Sequence, residues 1–230
     1  MTSVTDEHYT DRVTRSDDLL WQVGKTVNGN VVGEDQIELI IERICTALNL
    51  RADDRVLDVG AGNGLLTSIV AGRCARVTGV ERNQALYERA LRANTCGNAS
   101  YVCQSLSALD CSSLDFNKAF LYEVVQHLDF SETASFIESV FKQLPDSGAV
   151  FLGGIPSELQ KWSFYGTDER RKQYFRGLAK GTDVMGTWYH PEFFGCLAED
   201  LQLECQVLVQ DSRLYTSSYR FDCLLKKRAL

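Results

Sequence analysis

A run of alternating glycines that begins with an aspartate could bind a nucleotide-like molecule. Asp58, Gly60, Gly62 and Gly64 stand at every second position. Because glycine has no Cβ, such a backbone can turn sharply and come close to a ligand. The carboxylate of Asp58, at the entrance to the turn, suits an ammonium group better than a pyrophosphate. The run therefore predicts a tight turn, shaped for a ligand, between a strand and a helix.

A second carboxylate stands at the distance that such a site requires. Glu81 follows Asp58 by about 20 residues, the usual interval in a βαβ unit that binds a nucleotide. An acid at the end of the second strand can accept hydrogen bonds from both hydroxyls of a ribose. Taken alone, Glu81 would more commonly be a solvated acid at a strand end. Together with the glycine run, it indicates a ribose-binding position.

Alternating strands and helices must position these residues. Apolar runs predict strands over residues 55–59, 76–81, 100–104, 118–122 and 149–153, and two further β segments over 204–210 and 219–226. Apolar residues at helical spacing predict helices over residues 34–48, 65–72, 84–94 and 130–143. This alternation predicts a mostly parallel sheet that is covered by helices on both faces.

The motif resembles motif I of the class I S-adenosylmethionine (SAM) dependent methyltransferases, of the type that acts on small molecules. The resemblance covers roughly residues 53–154. It implies an α/β fold with a doubly wound, seven-stranded, mostly parallel sheet of order 3-2-1-4-5-7-6. The last strand would be antiparallel, helices would cover both faces and a helical lid would close the site.

The resemblance also implies SAM as the cofactor and S-adenosylhomocysteine (SAH) as its product. Asp58 would hold the amino-acid part and Glu81 the ribose. Ser105 stands where family members often carry an aspartate that meets the adenine, and a hydroxyl accepts a hydrogen bond more weakly than an ionised group. The predicted cofactor-binding residues are Asp58, Gly60, Ala61, Gly62, Glu81, Arg82, Ser105, Leu106 and Tyr122.

His127 is the candidate catalytic residue. It lies near the end of a run, residues 120–128, that resembles the segment after the fourth strand in these enzymes, where it would lie near the sulfonium. An imidazole titrates near neutral pH and could act as a general base. The alternative is that His127 orients the local loop, since many family members carry a histidine here whatever their substrate.

Two regions outside the motifs are predicted to close over the substrate. Residues 1–50 are expected to form a helical arm and residues 156–203 a helical insert, both within a single domain of residues 1–230. A long, aromatic-rich segment in a compact domain is often a lid or a binding element. The basic run 168–180 favours either a solvated helix face or an anion site. The candidate substrate contacts are Trp21, Tyr165, Arg170, Tyr189 and His190.

Composition limits the partners. The net charge of −7 argues against general binding to nucleic acid or to an anionic membrane, because both need a basic surface. No apolar stretch is long enough to span a membrane. The eight cysteines are scattered and form no C-x-x-C pair, which indicates reduced thiols in a cytoplasmic protein and no structural zinc. No metal site is expected, and the chain is expected to be a monomer or a homodimer.

The sequence therefore favours methyl transfer from SAM to a small molecule, a metabolite or natural-product intermediate of anionic or sugar-like character. A protein or RNA methyltransferase with the same fold and a SAM-binding module without catalysis stay open. An NAD(P)-binding protein is disfavoured, because the dinucleotide fingerprint G-x-G-x-x-G would require a glycine where Leu65 stands.

Overall fold

A seven-stranded sheet forms the centre of the computed structural model, which describes residues 4–228. Its strands are β1 (Arg55–Val59), β2 (Arg76–Glu81), β3 (Ala99–Cys103), β4 (Lys118–Tyr122), β5 (Ala149–Pro156), β6 (Leu203–Val209) and β7 (Arg220–Lys227). They lie in the order β3-β2-β1-β4-β5-β7-β6. The first five run parallel, and β7 runs antiparallel to both β5 and β6. The predicted fold class and strand order are confirmed.

Nine α-helices surround the sheet in the described residues. They are α1 (Val4–Arg15), α2 (Leu19–Gln22), α3 (Glu34–Leu48), α4 (Leu65–Ala71), α5 (Gln84–Ala93), α6 (Phe130–Gln143), α7 (Lys161–Phe164), α8 (Asp168–Lys180) and α9 (Pro191–Asp200). Asp129 begins α6 with a capping box, in which its side chain and that of Glu132 each accept the other residue's backbone N–H. No helix within residues 4–228 is long and apolar enough to cross a membrane.

Both faces of the parallel strands are buried. Successive residues of β4 point to opposite sides, so that Phe120 packs in one core with Ile40 of α3, and Leu121 packs in the other core with Ile137 of α6. The strands are therefore apolar at nearly every position, as expected for a sheet that is covered by helices on both faces.

Two features of the fold were not predicted. The first is that β5 continues to Pro156, three residues beyond its predicted end, through an irregularity between Leu152 and Ile155. The second is a short hairpin, in which Thr26–Val27 pairs with Asn30–Val31. Asn28 and Gly29 at its turn both have positive φ (50° and 83°), the backbone conformation of a type I′ turn.

Candidate functional site

A cavity of about 520 Å³ opens at the carboxyl ends of β1, β2 and β4. The strand order reverses between β1 and β4, and ligands of open α/β sheets bind at such a reversal. Four loops line the cavity, at residues 60–63, 81–83, 104–107 and 122–124, and α1 and α6 add side chains to its wall. The motifs that are far apart in the sequence therefore meet at one place.

The glycine loop adopts a backbone that other residues would strain. Gly60, Gly62 and Gly64 have φ angles of 74°, 58° and 81°. A Cβ on Gly60 would stand 2.4 Å from a methyl group of Val124, and one on Gly64 would stand 2.5 Å from the hydroxyl of Tyr101. The glycines therefore serve both the turn and the close packing around it.

Glu81 is buried where the glycine loop meets the end of β2. The backbone N–H of Gly62 donates to its Oε2 at 2.9 Å, and the N–H of Asn83 donates to its Oε1 at 2.7 Å. Burial raises the pKa of Glu81, while these backbone N–H groups oppose the rise. Each carboxylate oxygen keeps a second lone pair. The side chain can therefore hold the loop and still accept hydrogen bonds from a ligand.

Asp58 does not line the cavity. Its carboxylate is buried behind the glycine loop, where the hydroxyl of Thr67 donates to Oδ2 at 2.5 Å. Burial raises the pKa of Asp58 to about 7, against the opposing effect of the Thr67 hydrogen bond. This arrangement connects the end of β1 to α4, and it does not place Asp58 in contact with a ligand in the cavity.

The other predicted cofactor residues do line the cavity: Gly60, Ala61, Gly62, Glu81, Arg82, Ser105, Leu106 and Tyr122. Arg82 forms an ion pair with Asp6 of α1, with 3.1 Å between Nε and Oδ1. Ser105 lies within hydrogen-bond distance of Ser107, at 3.1 Å between the hydroxyl oxygens. Ser105 and Leu106, in the loop that follows β3, both line the cavity.

His127 also lines the cavity, at its α6 side. Burial, and then the charges of Arg82 and Arg220, lower the pKa of His127 to about 4, while Glu123 and Asp6 act in the opposite direction. The Tyr9 ring of α1 meets the imidazole edge-on, with 6.1 Å between ring centroids. The imidazole is therefore neutral at physiological pH and is a weak base.

A buried ion pair that the sequence did not reveal lies in the cavity wall. Lys25 Nζ is 2.7 Å from Glu123 Oε2 and stands 4.8 Å from the centroid of the Tyr122 ring. Burial lowers the pKa of Lys25, and the charge of Glu123 opposes this. Burial alone would raise the pKa of Glu123, but Lys25 and then Arg220 hold it below its usual value.

Glu123 has a left-handed backbone, with φ of 59°. Such a conformation is uncommon for a residue other than glycine, and it often marks functional positions. The residue follows β4 directly, so this turn aims its side chain at the cavity. No local sequence signal reveals the pair, because Lys25 comes from the segment before the hairpin, 98 positions away in the chain.

Helix α1 contributes Thr5, Asp6 and Tyr9 to the cavity wall. The side chain of Asn83 fixes the helix there, donating to the carbonyl of Asp6 at 2.9 Å and to the hydroxyl of Thr10 at 3.1 Å. The sequence predicted an arm in this region but did not identify these contacts.

Three predicted substrate residues lie away from the cavity. Trp21 packs under the guanidinium of Arg12, at 4.3 Å from the ring centroid. Tyr165 is buried against Tyr174, with 4.4 Å between ring centroids. Arg170 donates to the carbonyl of Phe164 at 3.1 Å and to the side chain of Asn28 at 3.2 Å. The basic run of α8 is therefore not an anion site of this cavity.

Tyr189 and His190 also have other environments. Tyr189 is fully buried, with its hydroxyl 2.7 Å from that of Thr133. The Nδ1 atom of His190 accepts the backbone N–H of Glu192 at 3.3 Å and so caps α9. Packing and helix capping account for this pair, and neither residue is among those that line the cavity.

Comparison with known proteins agrees with this geometry. Residues 56–148 match the family model described as "Methyltransferase domain". A ubiquinone biosynthesis O-methyltransferase of Idiomarina loihiensis is 30% identical over 111 residues, 47% of this chain and 45% of that protein. A ribosomal RNA small subunit methyltransferase A of Geobacter metallireducens is 45% identical over 47 residues, 20% of this chain and 17% of that protein. The chain spans less than half of the length of these two curated relatives.

Solved structures share the fold over nearly the whole chain. The DhpI–SAH complex superposes with a TM-score of 0.65 at 14% identity, covering 99% of this chain and 97% of that one. Magnesium protoporphyrin IX methyltransferase from Synechocystis PCC 6803, with bound SAH, has a TM-score of 0.64 at 15% identity, covering 97% and 95%. At this identity the likeness shows a shared fold.

Proposed function

We propose that this chain transfers a methyl group from SAM to a small-molecule acceptor, since residues 56–148 match the family model described as "Methyltransferase domain". The observation that carries the proposal is the cavity at the reversal of strand order, where Glu81 and the glycine loop meet. The polar groups in this part of the cavity suit a ribose and an adenine. Glu81 would accept the ribose hydroxyls, and Ser105 and Leu106 would contact the base.

The Lys25–Glu123 pair is our candidate for binding the amino-acid part of the cofactor. An amino acid carries a carboxylate and an ammonium. The cation Lys25 complements the carboxylate, and the anion Glu123 complements the ammonium. Lys25 Nζ has three donors, and Glu123 Oε1 has no hydrogen-bond partner among residues 4–228. We assign the ammonium to Glu123 in preference to Asp58, because Glu123 lines the cavity and Asp58 does not.

Catalysis on this proposal depends mainly on position. When bound, SAM supplies an activated methyl group, so the protein has to align the acceptor and exclude water. Tyr9 and His127 would form the wall beside the reacting atoms. The low pKa of His127 makes it a poor general base. The neutral imidazole is better suited to accept a hydrogen bond from the hydroxyl or amine of the substrate and so to orient that group.

The shape of the cavity favours a small acceptor over a polymer. Helix α1 supplies part of its wall, and Lys25, in the segment between α2 and the hairpin, supplies another part. Matches to ribosomal RNA methyltransferases make RNA the second candidate acceptor. The net charge of −7 argues against it, because RNA binding depends on a basic surface that neutralises phosphates.

Calorimetric titration of the purified protein with SAH, beside NAD⁺ and NADP⁺, tests the cofactor assignment. Saturable binding of SAH alone is the expected result. Binding of a dinucleotide, or of none of the three by folded protein, would contradict the proposal. A screen of small acceptors and of RNA with methyl-labelled SAM then tests turnover. SAH binding without turnover on any acceptor would favour the non-catalytic alternative.

A further inference from the structure

An apolar surface on the insert is exposed to solvent. Its members are Leu159, Trp162, Phe175, Leu178 and Val184, whose exposed fractions range from 38% to 67%. We call these residues, with the basic side chains among them, the insert surface. Single exposed apolar residues are normal, but five large ones within 26 residues need an explanation.

The insert surface is basic, whereas the protein is acidic. Between residues 159 and 184 there are three acidic residues and six basic ones, so the segment has a net charge of +3, against −7 for the whole chain. The basic residues are Lys161, Arg170, Arg171, Lys172, Arg176 and Lys180. All of them except Lys161 are exposed. The average charge of the chain therefore conceals a local surface of the opposite sign.

The insert surface rests on a packed base. Tyr165, Tyr174 and Trp188 form a buried aromatic cluster, and α8 is anchored to it by Tyr174. Trp162 lies over the edge of that cluster, with its ring centroid 6.1 Å from that of Phe175. Leu178 follows Phe175 by three positions and so lies on the same side of α8.

Capping defines both ends of α8. The hydroxyl of Thr167 accepts the N–H of Arg170 at its start, and Gly181 closes its end in the left-handed conformation. Trp162 and Phe175 are therefore displayed by a fixed element of the fold.

We propose that the insert surface docks on the surface of an anionic lipid bilayer. Exposed tryptophan and phenylalanine among arginines and lysines is the composition of helices that lie in the membrane interface. The positive charge complements anionic headgroups and disfavours pairing of this surface with itself in a symmetric dimer. The inference concerns peripheral binding. It does not depend on the proposed enzymatic function.

Flotation of the full chain with lipid vesicles tests the proposal. The chain is expected to bind vesicles of phosphatidylcholine and phosphatidylglycerol in equal parts, to bind poorly to phosphatidylcholine alone, and to lose binding as salt is added. Failure to bind the anionic vesicles at low salt would overturn the proposal.

Paired variants locate the binding surface. Trp162→Ser with Phe175→Ser should weaken binding to anionic vesicles about tenfold or more, because buried apolar area is lost. The matched control, Leu91→Ser with Val209→Ser, removes exposed apolar residues from α5 and β6 and should have no effect. Equal binding by both double variants would overturn the assignment of the surface.

Charge reversal provides an independent test. Lys172→Glu with Arg176→Glu should weaken binding about tenfold or more, since each basic residue near an anionic surface contributes to attraction. Arg73→Glu with Arg92→Glu changes the net charge equally at exposed positions elsewhere and should weaken binding much less. An equal loss in both variants would mean that net charge alone governs binding, and would contradict a specific surface.

Tryptophan fluorescence and the size of the protein in solution distinguish lipid binding from self-association. The emission of Trp162 should shift to shorter wavelength on vesicle binding. Trp162→Phe should abolish the shift, because Trp188 is already buried and Trp21, in α2, packs against Arg12 outside the insert surface. If the chain instead self-associates, and Phe175→Ser dissociates the oligomer without any vesicle binding, the surface is a protein interface and the lipid proposal is wrong.

Discussion

Glu81 illustrates how one side chain serves both the fold and the site. Its two oxygens accept the backbone N–H groups of Gly62 and Asn83, and the residue also lines the cavity. We predict that Glu81→Ala weakens SAH binding by roughly 1.5–3 kcal/mol, the cost of a lost hydrogen bond to a charged group. Calorimetric titration measures the change. Glu88→Ala, an exposed acid on α5, is the control and should bind SAH normally.

The Glu81 prediction includes a condition on folding. Far-ultraviolet circular dichroism of Glu81→Ala should match that of the parent, since the loop keeps its hydrogen bonds from Gly60 and Ala61 to the carbonyl of Val80. If the folded variant binds SAH as tightly as the parent, Glu81 does not contact the ribose, and the assignment of the cavity fails at its central residue.

The Lys25–Glu123 pair gives an asymmetric prediction. Glu123 faces two cations, Lys25 and Arg220. Glu123→Gln would leave both cations buried without a counter-charge, so we expect the free energy of unfolding to fall by about 3–5 kcal/mol. Lys25→Met leaves Glu123 facing Arg220 and should cost less. Urea denaturation of both variants measures the difference, and a larger loss for Lys25→Met would contradict this account of the charges.

His127 predicts a pH dependence of stability. The unfolded chain takes up a proton on this imidazole near pH 6.5, whereas the folded chain does so near pH 4. Between these values the unfolded state binds more protons, so stability falls as pH falls through this window. From pH 7.5 to pH 5, the parent should lose on the order of 1–2 kcal/mol more than His127→Gln.

Denaturant titrations of the parent and of His127→Gln at the two pH values measure this difference. The variant is the necessary reference, because Asp58, whose pKa is raised, contributes with the opposite sign: its contribution to stability falls as pH rises toward 7. Parallel curves for the two proteins would show that His127 titrates normally, and would restore it as a candidate general base.

At the scale of elements, the junction of β1 with α4 depends on Gly64. This residue caps α4 with φ of 81°, and a Cβ there would stand 2.5 Å from the Tyr101 hydroxyl. Gly64→Ala should lower stability by at least about 1 kcal/mol, the cost of a left-handed residue other than glycine. Gly97→Ala, where a Cβ meets nothing within 4 Å and φ is not positive, should be nearly neutral. Thermal unfolding compares the two, and equal effects would contradict the argument.

The elements were predictable where a local pattern sufficed. β1, β2 and β4 and helices α3 and α6 have the predicted bounds, since buried strands and amphipathic helices carry their pattern within a few residues. The end of β5 did not follow from its own sequence. The predicted strand ended at Gly153, but antiparallel pairing with β7 extends it to Pro156.

The residues of the candidate site were likewise predictable only where a local pattern identified them. The sequence predicted the glycine loop, Glu81 and Ser105, all of which line the cavity, because each lies at or just after the end of a predictable strand. Lys25 and Tyr9 were missed because their roles come from tertiary packing of the arm, which no local pattern encodes. The aromatic residues of the insert misled for a related reason: a sequence shows that Tyr165 and Tyr189 are aromatic, but not that they pack inward.

At the scale of the whole molecule, the net charge conceals how the charged residues are distributed over the surface. The net charge of −7 predicted no attraction to anionic membranes, and the insert surface carries +3 within that total. Distance along the sequence similarly conceals which residues share the cavity, since the described residues that line it extend from Thr5 to Ser139. Binding of a ligand at the cavity should therefore stabilise parts of the chain that are far apart in the sequence.

Hydrogen exchange tests this coupling. Asn63, in the glycine loop, donates to the carbonyl of Leu19 at 2.8 Å and to the side chain of Gln22 at 2.9 Å, and Arg82 pairs with Asp6 of α1. A ligand that orders the loop should therefore also stabilise the arm. We predict that SAH slows amide exchange in α1 and α2 as well as in the loop, while α9, which contributes no described residue to the cavity, is unaffected. Protection confined to the loop would mean that the arm does not close over the cofactor.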